Sequence, residues 1–221
     1  MRTLRGFLYV ALCIVFVSGV TVLGQGSLDP PAGPPTPTMR SLDQIEPRIP
    51  ITNVPFTISQ SGSYYLPTNL VTTSSSDGIV VSANNVTIDL MGFTLDGDNT
   101  GDDGIYQGSS YSNLRVINGS IVNWESQGIE ANGRMNHYEN VTANQNLSGI
   151  WAGRDSMVRS CIAISNTSVS GTSYGFQLGD GTTIEDCIAS WNAGGTYAYG
   201  VSAGKRCMVM RCGTGSDHRS V

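Results

Sequence analysis

Eight consecutive residues of this chain hold four carboxylates and an amide: Asp96-Gly97-Asp98-Asn99-Thr100-Gly101-Asp102-Asp103. Hard oxygen donors at that density are what Ca²⁺ prefers, and Asp96, Asp98, Asp102 and Asp103 are the candidate ligands. The spacing is not that of an EF-hand loop, which needs a Glu at its twelfth position. Asp, Asn and Gly are also what turns are built from, so a solvated loop is the competing reading. No cofactor is required by the sequence; Ca²⁺ is the one it leaves open.

Cys161, Cys187 and Cys212 recur at intervals of 26 and 25 residues. No Cys-x-x-Cys spacing or histidine partner accompanies them, which argues against a metal site. They read as a structural ladder of small, soft side chains. Adjacent members fall within disulfide range if they stack, and Cys207 supplies a fourth thiol. Tyr106, Trp151 and Trp191 are candidates for ligand binding, because exposed aromatic faces on a flat ladder stack against sugar rings. Packing of these rings against loops is the alternative. His137 and His218 are too isolated for a Ser-His-Asp site. A two-carboxylate glycosidase would need an acid and a base held about 5–9.5 Å apart, and no complete catalytic motif is present.

The element that positions these residues is a repeat. A Gly-apolar pair recurs at Gly78-Ile79, Gly104-Ile105, Gly128-Ile129, Gly149-Ile150, Gly175-Phe176 and Gly200-Val201, at intervals of 26, 24, 21, 26 and 25 residues. That period marks a solenoid. Counting from each Gly, position +3 is Val81, Ala131, Ala152, Leu178 and Ala203, with Gln107 the exception. Position +12 in the last four repeats is Asn140, Cys161, Cys187 and Cys212, and Asn166 and Asn192 share +17. Brief alternation, as in Val86-Thr87-Ile88-Asp89-Leu90, predicts short strands rather than helices. If +1 and +3 point inward, +2 points outward, and there sit Tyr106 and Trp151 among Val80, Glu130, Gln177 and Ser202. Charges on later rungs mostly face opposite signs, with Arg159 over Glu185 and Asp186 over Arg211, which reads as a charge-paired surface.

Around the repeat lie other segments. Residues 1–24 read as a signal peptide, with Arg2 and Arg5 before an apolar run from Phe7 to Val20 that is short for a bilayer span. Residues 25–55 are a linker and candidate N-terminal cap that hold most of the prolines, with a helical turn open at Thr38 to Glu46. The solenoid is expected over 56–212, followed by an irregular tail at 213–221 that supplies no apolar cap. That tail leaves open a truncated product or oligomerisation through the last rung. Of 221 residues only 13% are charged and 27 are Gly, which suits short strands and tight turns. Cleavage after residue 24 leaves ten bases against seventeen acids, a net −7. Such a surface argues against nucleic acid as a partner, and would repel an acidic polysaccharide unless a metal ion bridged the two.

Gly62-Ser63-Tyr64-Tyr65-Leu66, Val86-Thr87-Ile88-Asp89-Leu90-Met91-Gly92-Phe93 and the Gly-Ile turns resemble bacterial secreted right-handed parallel β-helix repeat proteins of the pectate-lyase-like superfamily. The resemblance covers about 70% of the chain. It implies an all-β fold of about six turns, and a secreted, periplasmic or envelope location. The superfamily spans lyases, hydrolases, epimerases and adhesive proteins, so the fold does not assign an activity. Asn-Thr-Asp, Gly-His-Gly and Arg-Ile-Lys, the polygalacturonase motifs, do not occur. The expectation is therefore a non-catalytic module that binds glycans or other surface molecules, or serves as structure. A polysaccharide lyase or glycoside hydrolase, with or without Ca²⁺, is the alternative.

Overall fold

Short alternating segments leave one face of every strand in need of cover. The chain meets that need by coiling on itself. A computed structural model describes residues 47–214, which form a parallel β-solenoid of about six turns. Among the described residues there is no helix, and so none long and apolar enough to cross a membrane. The 1–24 segment, the Thr38 to Glu46 turn and the tail from 215 lie outside the described residues. Pairing begins at Ile49–Pro50, against Tyr64 and Tyr65, and reaches Gly213–Thr214, against Ile188 and Ala189.

A seven-stranded sheet stacks Phe56–Ile58, Ile79–Val81, Ile105–Gln107, Gln127–Arg134, Ser148–Arg154, Thr172–Leu178 and Tyr197–Ala203. A thirteen-stranded sheet covers the other two faces. It does so because Leu114–Val122 and His137–Asn144 each run on around a corner. Beyond them the faces separate, and Met157–Arg159 and Ile162–Ile164 both pair with His137–Asn144.

In the seven-stranded sheet the +1 and +3 positions do point inward. Ile79, Ile105, Ile129, Ile150 and Phe176 fill one buried column, and Val81, Gln107, Ala131, Ala152 and Leu178 the other. The recurring Gly has a steric cause. A Cβ on Gly78 would lie 2.7 Å from the Gly104 carbonyl, and each later Gly in the column meets the next one in the same way. Trp124, an aromatic that falls late in its turn, is no surface platform. It is 2% exposed, cradled by Gly78, Gly97, Gly101 and Gly104.

The corners are held by ladders. Asn146, Asn166 and Asn192 stack in the core, each at most 2% exposed. The Asn166 Oδ1 accepts the backbone N–H (3.1 Å) and Nδ2 (3.2 Å) of Asn146, while its own Nδ2 donates to Asn192 Oδ1 (2.9 Å) and Ala143 O (3.2 Å). Each buried amide is thereby satisfied by its repeat equivalent. At the neighbouring corner the register places Val141, not Asn140, beside Cys161, because the turn that starts at Gly128 carries one residue more before this corner than the turn that starts at Gly149. Asn140 instead takes a positive φ of 54°, and Asn118 (58°), Ser160 (50°) and Asp186 (53°) do the same on their rungs. Left-handed conformations of this kind turn the chain through each corner.

Asn166→Ala strands the Asn146 N–H and the Ala143 carbonyl in the core. Each stranded group costs about 1–3 kcal/mol. Urea denaturation should therefore report a loss of at least about 2 kcal/mol; a loss under about 0.5 kcal/mol would show that the ladder contributes little.

Candidate functional site

The outer face of the seven-stranded sheet carries two columns of side chains. One is the +2 column, in which Tyr106, Glu130 and Trp151 stand in register on successive rungs. The other is the residue before each Gly: Asp77, Asp103, Gln127, Ser148, Tyr174 and Tyr199. Its members reach from rung to rung. Asp77 Oδ1 accepts the Asp103 N–H (3.2 Å), Asp103 Oδ1 accepts the Gln127 N–H (2.8 Å), and Ser148 Oγ accepts the Tyr174 N–H (3.1 Å). The face therefore grades from carboxylates on the early rungs to aromatics on the late ones, where Tyr174 and Tyr199 stack at 5.5 Å with Tyr197 beside them.

Carboxyl oxygens of Asp77, Asp102 and Asp103 lie within 4.8 Å of one another. None of the three makes an ion pair among the described residues. Asp103 is 4% exposed, and burial pushes its pKa up to about 7. A side-chain hydrogen bond and the nearby charge of Glu130 push the same way, while the Gln127 N–H opposes them. Burial likewise raises Asp77, with Asp102 and Glu130 adding to it. Asp103 is thus the member of the cluster that keeps a proton closest to neutral pH. Three hard oxygen donors at this spacing are also the group that could hold Ca²⁺, in competition with that proton.

Downstream of Glu130 the sheet opens. Register slips between Ala131 and Arg134, so that Asn132 and Gly133 together face Gly153. This is a β-bulge, a device that re-aims side chains beside a site. A hollow of about 490 Å³ lies over it, bordered by Tyr106, Ser109, Asn132, Gly133, Arg134 and Arg154. A second, of about 330 Å³, continues along Trp151, Gln177 and Asp180 and shares Asn132 and Arg154. Asn132 Nδ2 donates to Glu130 Oε1 at 2.6 Å, which ties the carboxylate to the rim.

Of the residues singled out by sequence, Tyr106 and Trp151 come together, on either side of Glu130. Trp191 does not join them; it turns a corner with φ 57° and stands 59% exposed. Asp102 and Asp103 join Asp77, whereas Asp96 binds the Asp98 and Asn123 amides and lies outside that group. Cys161, Cys187 and Cys212 are free thiols in one column, with the Cys161 N–H donating to Cys187 Sγ at 3.4 Å. The hydrogen bond to Cys187 is the main reason the Cys161 thiol is held above its usual range. His137 Nε2 has no hydrogen bond and sits 3.8 Å from Glu139, its pKa lowered by burial and then by Arg115. The later charges pair as expected, Arg159 with Glu185 (2.6 Å) and Arg211 with Asp186 (2.5 Å). Asp77, Glu130, Asn132 and Arg154 escape a motif search, although Asp77 and Asp103 share one repeat position and Glu130 shares another with both aromatics. No family model, curated protein or solved structure matches the chain.

Asp103 binds its proton more tightly folded, near pH 7, than an unfolded aspartate does near 3.8. Its contribution to stability therefore falls as pH rises across that window and is gone above it. Denaturant midpoints at about pH 5 and about pH 8 should show a loss that Asp103→Asn reduces. The difference between the two proteins isolates the group, since Asp77 acts with the same sign and His137 with the opposite one. An unchanged pH slope in the variant would remove the Asp103 proton from this account.

Proposed function

We propose that the protein is an exported, right-handed β-helix of the pectate-lyase-like kind that binds a carbohydrate chain along the outer face of its seven-stranded sheet. Its place of action is outside the cytoplasm, as a secreted, periplasmic or envelope-associated module. The observation that carries this reading is the column Tyr106–Glu130–Trp151 beside two continuous hollows. Aromatic faces supply flat apolar contact for a sugar ring, and a carboxylate and amides between and beside them accept and donate to its hydroxyls. Rungs repeat about every 4.8 Å, so a chain lying along the axis meets new donors at each turn.

The carboxyl cluster favours a second reading, a polysaccharide hydrolase or lyase, with Ca²⁺ at Asp77, Asp102 and Asp103. Four carboxyl groups on three neighbouring rungs, without cationic partners among the described residues, are what such chemistry would use. Against it, the carboxyl oxygens of Asp77, Asp102 and Asp103 lie within 4.8 Å of one another. Two-carboxylate glycoside hydrolysis keeps its groups about 5–9.5 Å apart so that sugar and water fit between them. Binding without turnover is therefore the preferred reading.

A glycan-array screen with Ca²⁺ present, followed by reducing-end and unsaturated-product assays on every hit, separates the two. Binding without product is expected, and Trp151→Ala should weaken it about tenfold. Product release would overturn the binding reading in favour of an enzyme. Affinity indifferent to both Trp151→Ala and Tyr106→Ala would remove this face as the site.

A further inference from the structure

Sugar stacking does not account for the first hollow. Two guanidiniums, Arg134 and Arg154, stand on its rim with Ser109 and Asn132, and no carboxylate borders it among the described residues. The two arginines are register partners on adjacent rungs. Like charges placed opposite each other in a sheet are destabilising unless something neutralises them. Arg134 is partly neutralised, through Nη2 to Asp155 Oδ2 at 2.8 Å. Arg154 makes no ion pair among the described residues. The chain as a whole carries −5, so a cation-lined hollow departs from the surface around it. Net charge does not forbid an anion there, because exposed charges farther than about 8 Å are largely screened at physiological salt.

Resting on the carbohydrate reading above, we propose that this hollow takes a tetrahedral oxyanion, a sulfate or phosphate monoester, carried by the glycan whose ring lies on Trp151. Donor number favours that group over a carboxylate. One guanidinium saturates a carboxylate through two parallel hydrogen bonds. A monoester presents three terminal oxygens and accepts from several directions. Arg154, the uncommitted N–H groups of Arg134, the Ser109 hydroxyl and the second Asn132 N–H together supply such a set. Asp180 borders the second hollow only, which keeps the anion in the first.

Calorimetric titration of the purified protein tests this with inorganic sulfate, inorganic phosphate, and one oligosaccharide in sulfated, phosphorylated and unsubstituted forms. A substituted form should bind at least about tenfold more tightly than the unsubstituted one. Arg154→Gln should bring it down to the affinity of the unsubstituted sugar, Arg154→Lys should keep part of the preference, and the matching inorganic anion should compete. The better of the two esters identifies the source of the oxyanion. Equal affinity for all three sugars in the parent protein, or a preference that survives Arg154→Gln, overturns the inference and leaves the carbohydrate reading standing. Inorganic anion bound through Arg154 with no sugar bound at all supports the anion site and overturns the carbohydrate reading instead.

Discussion

Parallel coiling sets each residue beside its own repeat equivalent, one strand spacing away, and most of this structure follows from what that spacing tolerates. A buried polar side chain survives only where the residue in the next rung satisfies it. Asn146, Asn166 and Asn192 do this with paired amides, each oxygen taking the N–H of the rung before it. Backbones also meet closely where turn after turn places a glycine, since any Cβ there would run into the next rung's carbonyl. Cys161 and Cys187 obey the same rule with sulfur, whose size and softness suit a column with 0–1% exposure. Remove the register and none of these groups has a partner.

Stacking also writes the surface, because like falls beside like unless the sequence alternates. On later rungs it alternates: Arg115 meets Glu139, and Arg159 meets Glu185. On the first rungs of the seven-stranded sheet it does not, and Asp77, Asp102, Asp103 and Glu130 gather. Four ionised groups at such range would repel strongly in a partly buried site. A proton on Asp103 removes one of those charges at the most buried position. The cluster is thus compatible with folding because its most buried member is also the one whose pKa burial raises most.

Much of the fold is legible from spacing alone. The Gly-apolar recurrence, the inward +1 and +3 columns and the outward Tyr106 and Trp151 all follow from counting. Counting fails where the turn length changes. Position +12 equates Asn140 with Cys161, whereas the surplus residue between Ala131 and Arg134 puts Val141 there and makes Asn140 the corner residue. Gly97 and Gly101 look like turn residues of an acidic loop, but they are small because the buried Trp124 indole packs on them. The site was less legible. Asp77 stands 26 residues from Asp103, and Glu130 a further 27. Nothing local links them, and Glu130 looks like an interruption of an aromatic stripe until its contact with Asp103 is known.

The bulge explains why the hollows open where they do. Ala131-Asn132-Gly133-Arg134 pairs with Ala152-Gly153-Arg154, so one rung carries a residue more than its neighbour across the same span. Both ends stay in register, which forces the surplus outward. A Cβ at Gly153 would overlap the Gly133 carbonyl, so the neighbouring rung can accept the surplus only with glycine. Outward displacement turns Asn132 back onto Glu130 and sets Arg134 level with Arg154. A regular rung would have continued the flat outer face and left no depth beside Tyr106 and Trp151. Extra length within one strand, rather than an inserted loop, therefore gives this face both its depth and its polar rim, and it does so without disturbing the buried columns on either side.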